Sequence, residues 1–416
     1  MMYNSLMQSL FESNKLHFHI LRGFLSAFVF SAFIYFEHYG ITIKFINTFF
    51  ALLALISLLY MPKKSVLATG FFIGLFWFYW IGYSFKYNGV GYLEPFVTFS
   101  FAIIYMLFFG VLALTNKPYI RAILLFGLSF FEPFDWNWMQ IELIFIESYL
   151  GVYKYQFALI LASLSIPFYI KNKYKYTPLL LLILANQNLS IYQKEQKMSD
   201  LKIKLVASDI KQEKKWKRES LEPTILLGYN EIQSAIKQDY DVIVFPESFF
   251  PIYMNQNPKI IEQLKEISKE ISIVTGSLYY DNGNNYNVTY LFEDGNYSFA
   301  KKLVLVPFGE YIPLPEFARD FINDTFFAGQ SDFKTATEPS DFIIKGQKFR
   351  NAICYEATCS EIYEGELNYV IATSNNAWFA PSIEPTLQKL LMKYYARKNG
   401  VTIYHSANYK GSGIIQ

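Results

Sequence analysis

LKIKLVASDIKQEKKWKRESLEPTILLGYNEIQSAIKQDYDVIVFPES (201–248) reads as strand, helix, strand. KIKLVAS (202–208) and YDVIVFP (240–246) are short apolar runs of strand type, and they flank a helical stretch around 221–238. The alternation continues downstream. A second helix near 259–271 leads into ISIVTGSLYY, and two segments rich in Tyr, Asn and Gly (279–300) suggest hairpin strands turning at DNGNN and EDGN. FRNAICYE, a short helical stretch, NYVIATSNN, a helix near 384–399 and VTIYHSAN complete the series. Strands of this mixed kind with intervening helices predict an α/β layered sandwich over 202–416.

Upstream the composition changes. The 416 residues are 52% hydrophobic with a mean hydropathy of +0.17, too apolar for a water-soluble chain of this length, and the apolar residues crowd between about 18 and 190. Runs approaching the roughly 20 residues that cross a bilayer lie near 18–36, 45–61, 66–83, 95–114, 118–134, 155–170 and 177–191. Seven spans are therefore expected. The polar, aperiodic stretch QNLSIYQKEQKMSD (187–200) leaves the membrane, which sets a membrane domain at 1–191, a linker at 192–201 and a globular domain at 202–416. No small-residue cleavage site follows a short apolar core at the start of the chain, so the first apolar run is expected to stay in the membrane.

Lys and Arg near span ends are retained on the cytoplasmic side. With the N-terminus inside, the inner segments carry Lys15, Arg22, Lys63, Lys64, Lys117, Arg121, Lys171, Lys173 and Lys175, against Lys44, Lys86 and Lys154 in the outer ones. An odd span count then delivers the globular domain to the outer side. The net charge of +2, from 37 basic and 35 acidic residues, gives no global field of the kind that binds nucleic acid. Two cysteines, Cys354 and Cys359, exclude a disulfide framework and a four-cysteine metal site.

Three segments set reactive groups just beyond apolar strands, where layered α/β proteins place their sites. VIVFPES ends in Glu247 and its serine, FAKKLVLVPFGEYIP carries Lys302 and Glu310, and NAICYEA carries Cys354, Tyr355 and Glu356. A free thiol with a pKa of about 8.5 is only slightly ionised at neutral pH, so acyl chemistry at Cys354 needs a base and a cation nearby. Glu247 and Lys302 are one of each. Read as residues alone, Cys354 also fits a small buried hydrophobe, Glu310 and Glu356 fit structural ion pairs, and Trp216 and Trp378 fit core or interface aromatics. Cys359 reads as a spectator, and a Cys354–Cys359 bridge outside the cytoplasm would abolish the chemistry. The histidines at 17, 19, 38 and 405 are scattered, which leaves a serine or metal hydrolase without support. Two apolar, Pro-punctuated stretches, 248–258 and 311–329, read either as mobile lids dipping into a membrane surface or as core-packing loops.

K-x-x-L-V-P-F-G-E-Y-x-P at 302–313, I-C-Y-E at 353–356 and S-N-N-A-W-F at 374–379, behind a multi-span half, resemble the nitrilase superfamily and more closely the apolipoprotein N-acyltransferases. The resemblance covers nearly the whole chain. It implies a multi-span α-helical membrane domain joined to an α-β-β-α nitrilase-like sandwich, in the bacterial inner membrane with the catalytic domain periplasmic. It implies Glu247 as general base, Lys302 as the cation facing the oxyanion, Cys354 as nucleophile, Glu310, Glu356 and Tyr355 in support, and Trp216 and Trp378 near substrate. The implied reaction passes an acyl chain from a membrane phospholipid through a Cys354 thioester to the amine of a diacylglyceryl-modified apolipoprotein, with no metal or organic cofactor. A membrane-tethered amidase and an inactive scaffold or transport protein are the alternatives. Relatives of this type continue through further strands and an eighth span, of which none is seen after HSANYKGSGIIQ, and KGSG stands where a simpler Asn-Gly run is usual.

Overall fold

VIV (242–244) is buried on both sides, and that explains why it reads as an unbroken apolar run instead of an alternating one. The computed structural model of the chain describes residues 15–170, 173–190, 192, 194–307, 310–311 and 333–416. Val242 and Val244 point to one side, with Val274, Leu291 and Ala300, and meet Phe342, Ile344, Phe349, Ile371 and Tyr404 of a second sheet. Ile243 and Phe245 point to the other side, into a cluster with Ile232, Ala235, Ile261 and Leu264 from covering helices. Each fully buried side chain of this kind is worth about 1.5–3 kcal/mol.

The first sheet runs β1 (Ile203–Leu205), β2 (Val242–Val244), β3 (Ser272–Asp281), β4 (Asn284–Glu293), β5 (Asn296–Lys301) in spatial order. β1, β2 and β3 are parallel and the rest antiparallel. The second runs β10 (Gly413–Ile415), β9 (Thr402–Asn408), β8 (Tyr369–Asn375), β7 (Gln347–Ile353), β6 (Asp341–Ile344), with β7, β8 and β9 parallel. An isolated parallel bridge, Ser208 to Asn408, links the chain after β1 to the end of β9. The hairpin turns sit where the sequence sets DNGNN and EDGN: Asn282 and Gly283, then Asp294 and Gly295, take positive φ, the geometry of tight turns whose twist matches the strands. The α-β-β-α sandwich expected from the sequence is the fold observed.

Two units can be described separately. One comprises residues up to Gly82, Tyr92–Pro133 and Met139–Tyr192; the other comprises Tyr83–Gly91, Phe134–Trp138 and Gln193–Gln416. The sequence reading does not anticipate that the two short segments 83–91 and 134–138, enclosed by apolar runs, join the sandwich unit.

The first unit holds α1 (Leu16–His38), α2 (Lys44–Tyr60), α3 (Lys63–Phe78), α4 (Glu94–Gly110), α5 (Pro118–Leu128) and α6 (Lys154–Ser165), with helical turns over Lys173–Leu180 and Leu181–Leu184. Helix is thus present in each of the seven apolar stretches. Among the described residues, Leu16–His38 and Gly91–Leu114 are long and apolar enough to cross a membrane, and a third span results if the bent pair Lys63–Phe78 and Ile81–Tyr87 counts as one. α3 and α4 touch through glycine: a Cβ on Gly70 would lie 2.5 Å from the Tyr105 carbonyl oxygen, and one on Gly74 2.8 Å from the Ala102 Cα. Small residues at such crossings let helix backbones approach where lipid supplies no hydrophobic drive. Phe24, Phe28, Phe96, Phe99 and Leu107 face outward while Ser26, Ser31, Ser65 and Thr69 are buried, the reverse of a water-soluble bundle. Arg121, an inner-side charge in the sequence reading, is buried and donates to the carbonyls of Leu58, Leu59, Met61, Leu112 and Thr115. It caps orphan carbonyls at helix ends.

In the second unit α7 (Arg218–Lys237) and α8 (Pro258–Ile267) cover the first sheet, and α9 (Glu384–Asn399) packs on β9 and β10. The stretch 248–258 proves to be core rather than lid: Phe249, Phe250 and Met254 are at most 1% exposed within the α7/α8 cluster, since their apolar area is satisfied by the sandwich itself. Apart from Tyr311, the stretch 311–329 lies outside the described residues.

Candidate active site

β2 delivers its C-terminal end to Pro246 and then Glu247. The backbone passes close over β3 there. A Cβ on Gly276 would lie 2.4 Å from the Ser248 nitrogen and 2.6 Å from the Glu247 Cα, so only glycine fits under the carboxylate. Glu247 is held by three further elements: Oε1 accepts from Asn287 Nδ2 at 2.7 Å, Oε2 from the Asn375 backbone N–H at 2.9 Å, and its carbonyl from Lys215 Nζ at 3.0 Å. Two charge-assisted bonds in fixed directions aim the carboxylate.

Lys302 stands one residue past β5, its N–H donating to the Asn287 carbonyl at 2.9 Å. Its ammonium, 1% exposed, is 2.7 Å from Glu310 Oε2 and 3.9 Å from Glu247 Oε1. Burial alone would discharge it. The carboxylates of Glu310 and Glu247 outweigh that burial and hold the ammonium above its ordinary range.

Cys354 follows β7 with a left-handed φ of 58° and opens the turn Cys354–Thr358. A non-glycine residue in that region is strained, a state that persists where the surroundings impose it. Glu356 imposes it: Oε1 accepts from the Ile353 N–H at 2.6 Å, and Oε2 from the Leu303 and Val304 N–H groups at 2.7 and 3.1 Å. One buried carboxyl thereby ties the thiol turn to the segment carrying Lys302. Gln388 of α9 brings its Nε2 to 4.0 Å from the Cys354 sulfur. Burial pushes the thiol well above its usual range, Glu247 adds to that, and Lys302 opposes it. The resting sulfur is therefore protonated, and reaction at neutral pH requires a base beside it.

Of the residues singled out in the sequence, Glu247, Lys302, Cys354 and Glu310 come together, with Glu356 binding the frame behind them. Tyr355 points elsewhere: its ring stacks on Trp136 and Trp138 at centroid distances of 5.6 and 6.2 Å, and its hydroxyl donates to the Asp135 carbonyl at 3.2 Å. It anchors segment 134–138, with Asn137 and Trp138 donating to Thr358. Trp216 is half-exposed beside Lys215, and Trp378 meets Tyr87 at 5.5 Å between rings. Cys354 and Cys359 are both free thiols.

Lys215 and Asn287 contact Glu247, Gln388 contacts Cys354, and Glu384 is buried one helical turn before Gln388; sequence reasoning missed all four. Lys215 is concealed in a basic run that resembles a solvated face, yet it is 1% exposed, and burial lowers its pKa to about 8 against the pull of Glu247. Asn287 sits in a turn-rich hairpin, and Glu384 reads as an ordinary acid in the first turn of a helix. Among these residues a buried base, a charged ammonium and a strained thiol at strand ends can support nucleophilic acyl chemistry.

Comparison with known proteins agrees. Residues 17–188 match the family model described as the apolipoprotein N-acyltransferase integral membrane domain, and residues 206–411 match that of the carbon-nitrogen hydrolases. The apolipoprotein N-acyltransferase of Wolinella succinogenes is 42% identical over 392 residues, covering 94% of this chain and 94% of its own length. Those of Helicobacter hepaticus and Campylobacter jejuni are 38% and 34% identical over 88% and 99% of this chain, and 92% and 93% of their own. With both domains matched in order and relatives this similar along nearly the full length, the chain belongs to the apolipoprotein N-acyltransferase family.

Proposed function

We propose that this chain takes an acyl chain from a membrane phospholipid onto Cys354 and passes it to the N-terminal amine of a diacylglyceryl-modified bacterial lipoprotein. The observation that carries the reading is the convergence of Glu247, the Lys302–Glu310 pair and Cys354 at the ends of three strands. In the first half-reaction Glu247 takes the thiol proton and the sulfur attacks the ester carbonyl carbon. The carbonyl electron pair moves to oxygen, where Lys302 and the N–H after Cys354 oppose the charge. Collapse breaks the C–O bond, and Glu247 returns the proton to the departing lysophospholipid oxygen. In the second half-reaction the acceptor amine attacks the thioester, the C–S bond breaks, and the thiol is restored.

The roles of Glu356 and Tyr355 are to position the nucleophile turn, and Trp216 and Trp378 flank the substrate. The membrane domain, 1–191, crosses the inner membrane seven times with its basic loops inside, which sets the catalytic domain at the periplasmic face beside both lipid substrates.

Purified protein incubated with phospholipid bearing a labelled acyl chain should gain a hydroxylamine-sensitive label that Cys354→Ala abolishes. Labelled amides acylating the protein without lipid would favour an amidase. No adduct from either would leave a scaffold and remove the catalytic reading.

A further inference from the structure

The carboxyl groups around the thiol are not equally occupied. Glu247 accepts on both oxygens, from Asn287 and Asn375. Glu310 accepts from Lys302 on both and from the Val306 N–H. Glu356 accepts from three N–H groups. Glu384 differs: it is 1% exposed, and its Oε2 has no hydrogen-bond partner among the described residues.

Its direction follows from the helix. Glu384 opens α9 and Gln388 lies four residues on, so the two share a face. Gln388 reaches the Cys354 sulfur at 4.0 Å, which sets Glu384 one turn along the same wall. Its charge is felt by Cys354, and it feels that of Glu247 in turn. A buried oxygen without a partner costs about 1–3 kcal/mol and is retained where a ligand supplies the donor. Of the two substrates, the ester offers only acceptor oxygens at its reacting carbonyl. The amine offers N–H donors.

We propose that Glu384 is the acceptor-binding residue of the second half-reaction, taking a hydrogen bond and a proton from the primary amine that attacks the Cys354 thioester. This inference rests on the acyl-transfer reading. Burial, reinforced by Glu247, holds the Glu384 carboxyl well above its ordinary range, which strengthens it as a proton acceptor. The acceptor amine arrives in its ammonium form, and Glu384 takes one of its protons. That transfer frees the nitrogen lone pair, which attacks the thioester carbonyl carbon. The C–N bond forms and the carbonyl electron pair moves to the oxygen facing Lys302. As the pair returns, the C–S bond breaks, the surplus nitrogen proton passes to Glu247, and Glu247 delivers it to the Cys354 thiolate. Glu384 ends protonated and releases that proton to solvent as the amide leaves, which restores the carboxylate.

The test separates the half-reactions in the full-length protein. Vesicles containing phospholipid with a labelled acyl chain load Cys354, and a synthetic diacylglyceryl-cysteinyl peptide or hydroxylamine then discharges it. Glu384→Gln should load within about twofold of wild type and discharge to hydroxylamine, already a neutral nucleophile, at the wild-type rate. Transfer to the peptide should fall about 10- to 100-fold, the scale of a lost hydrogen bond to a charged group, with a raised KM that Glu384→Asp partly restores. Loading and transfer falling together, hydroxylamine discharge falling as far as peptide transfer, or unchanged transfer would each overturn the proposal. Failure of the wild-type protein to load would instead remove the acyl-transfer reading beneath it.

Discussion

Gly276→Ala is the sharpest probe of how the fold aims Glu247. The new Cβ would sit 2.4 Å from the Ser248 nitrogen, 2.6 Å from the Glu247 Cα and 2.8 Å from the Glu247 carbonyl carbon. All three are backbone atoms, so no rotamer change relieves the clash. Reaching ordinary contact at 3.4 Å requires the backbone at Glu247 and Ser248 to retreat by about 1 Å. Overpacking of this kind costs about 1–3 kcal/mol, which lowers the thermal midpoint by about 2–4 °C for each kcal/mol. The larger effect is on chemistry. A 1 Å retreat stretches the 2.7 and 2.9 Å bonds from Asn287 and Asn375 beyond hydrogen-bonding range, and a misplacement of that size costs about 10²-fold in rate. Loading of Cys354 from labelled phospholipid, followed beside the thermal midpoint, reads both quantities. Gly127→Ala, where nothing lies within 4 Å, is the control. A Gly276→Ala protein with wild-type loading and an unchanged midpoint would refute the argument that this close approach positions the carboxylate.

Lys302→Met leaves Glu310 and Glu247 facing a lost ammonium at 2.7 and 3.9 Å; breaking such a buried pair costs about 3–5 kcal/mol, and loading of Cys354 should disappear in an assay that wild-type rates in the variant would contradict. His405 is fully buried, its Nδ1 paired with the Gly411 carbonyl at 2.9 Å and its Nε2 with the Ser374 hydroxyl at 2.8 Å, and burial lowers its pKa to about 4. The pKa is depressed on folding, so its stabilising contribution is intact above pH 6.5 and is lost as pH falls toward 4, by up to about 3 kcal/mol. Thermal midpoints at pH 7.5 and 4.5 should therefore diverge less in His405→Gln than in wild type, and equal divergence would count against the assignment. Cys359, whose thiol contacts Asn137 Nδ2 at 3.4 Å and the Tyr355 carbonyl at 3.5 Å, is expected to be a spectator; Cys359→Ser should keep its hydroxylamine-sensitive label on Cys354, and mass spectrometry that finds the label lost would contradict this.

Much of this molecule is legible from the residues in order. Unbroken apolar runs such as VIV (242–244) announce strands buried on both faces, and Asn-Gly and Asp-Gly at 282–283 and 294–295 announce the hairpins, because each depends on neighbours along the chain. Glu247, Lys302 and Cys354 stand out for a related reason. Glu247 and Cys354 each follow a strand of a parallel set, and the C-terminal ends of parallel strands lie at one edge of a layered sheet, while Lys302 follows the antiparallel β5.

What the order of residues could not reveal is which polar groups water never reaches. Lys215 in a basic run and Glu384 in a helix's first turn look like solvated surface, yet both are 1% exposed. Tyr355, adjacent to Cys354 in sequence, turns its ring to a segment some 220 residues away. Local pattern decides the period of an element and therefore which face is apolar. Desolvation, charge coupling and the reach of a side chain across the sandwich depend on neighbours brought from distant positions, and only the folded chain supplies those.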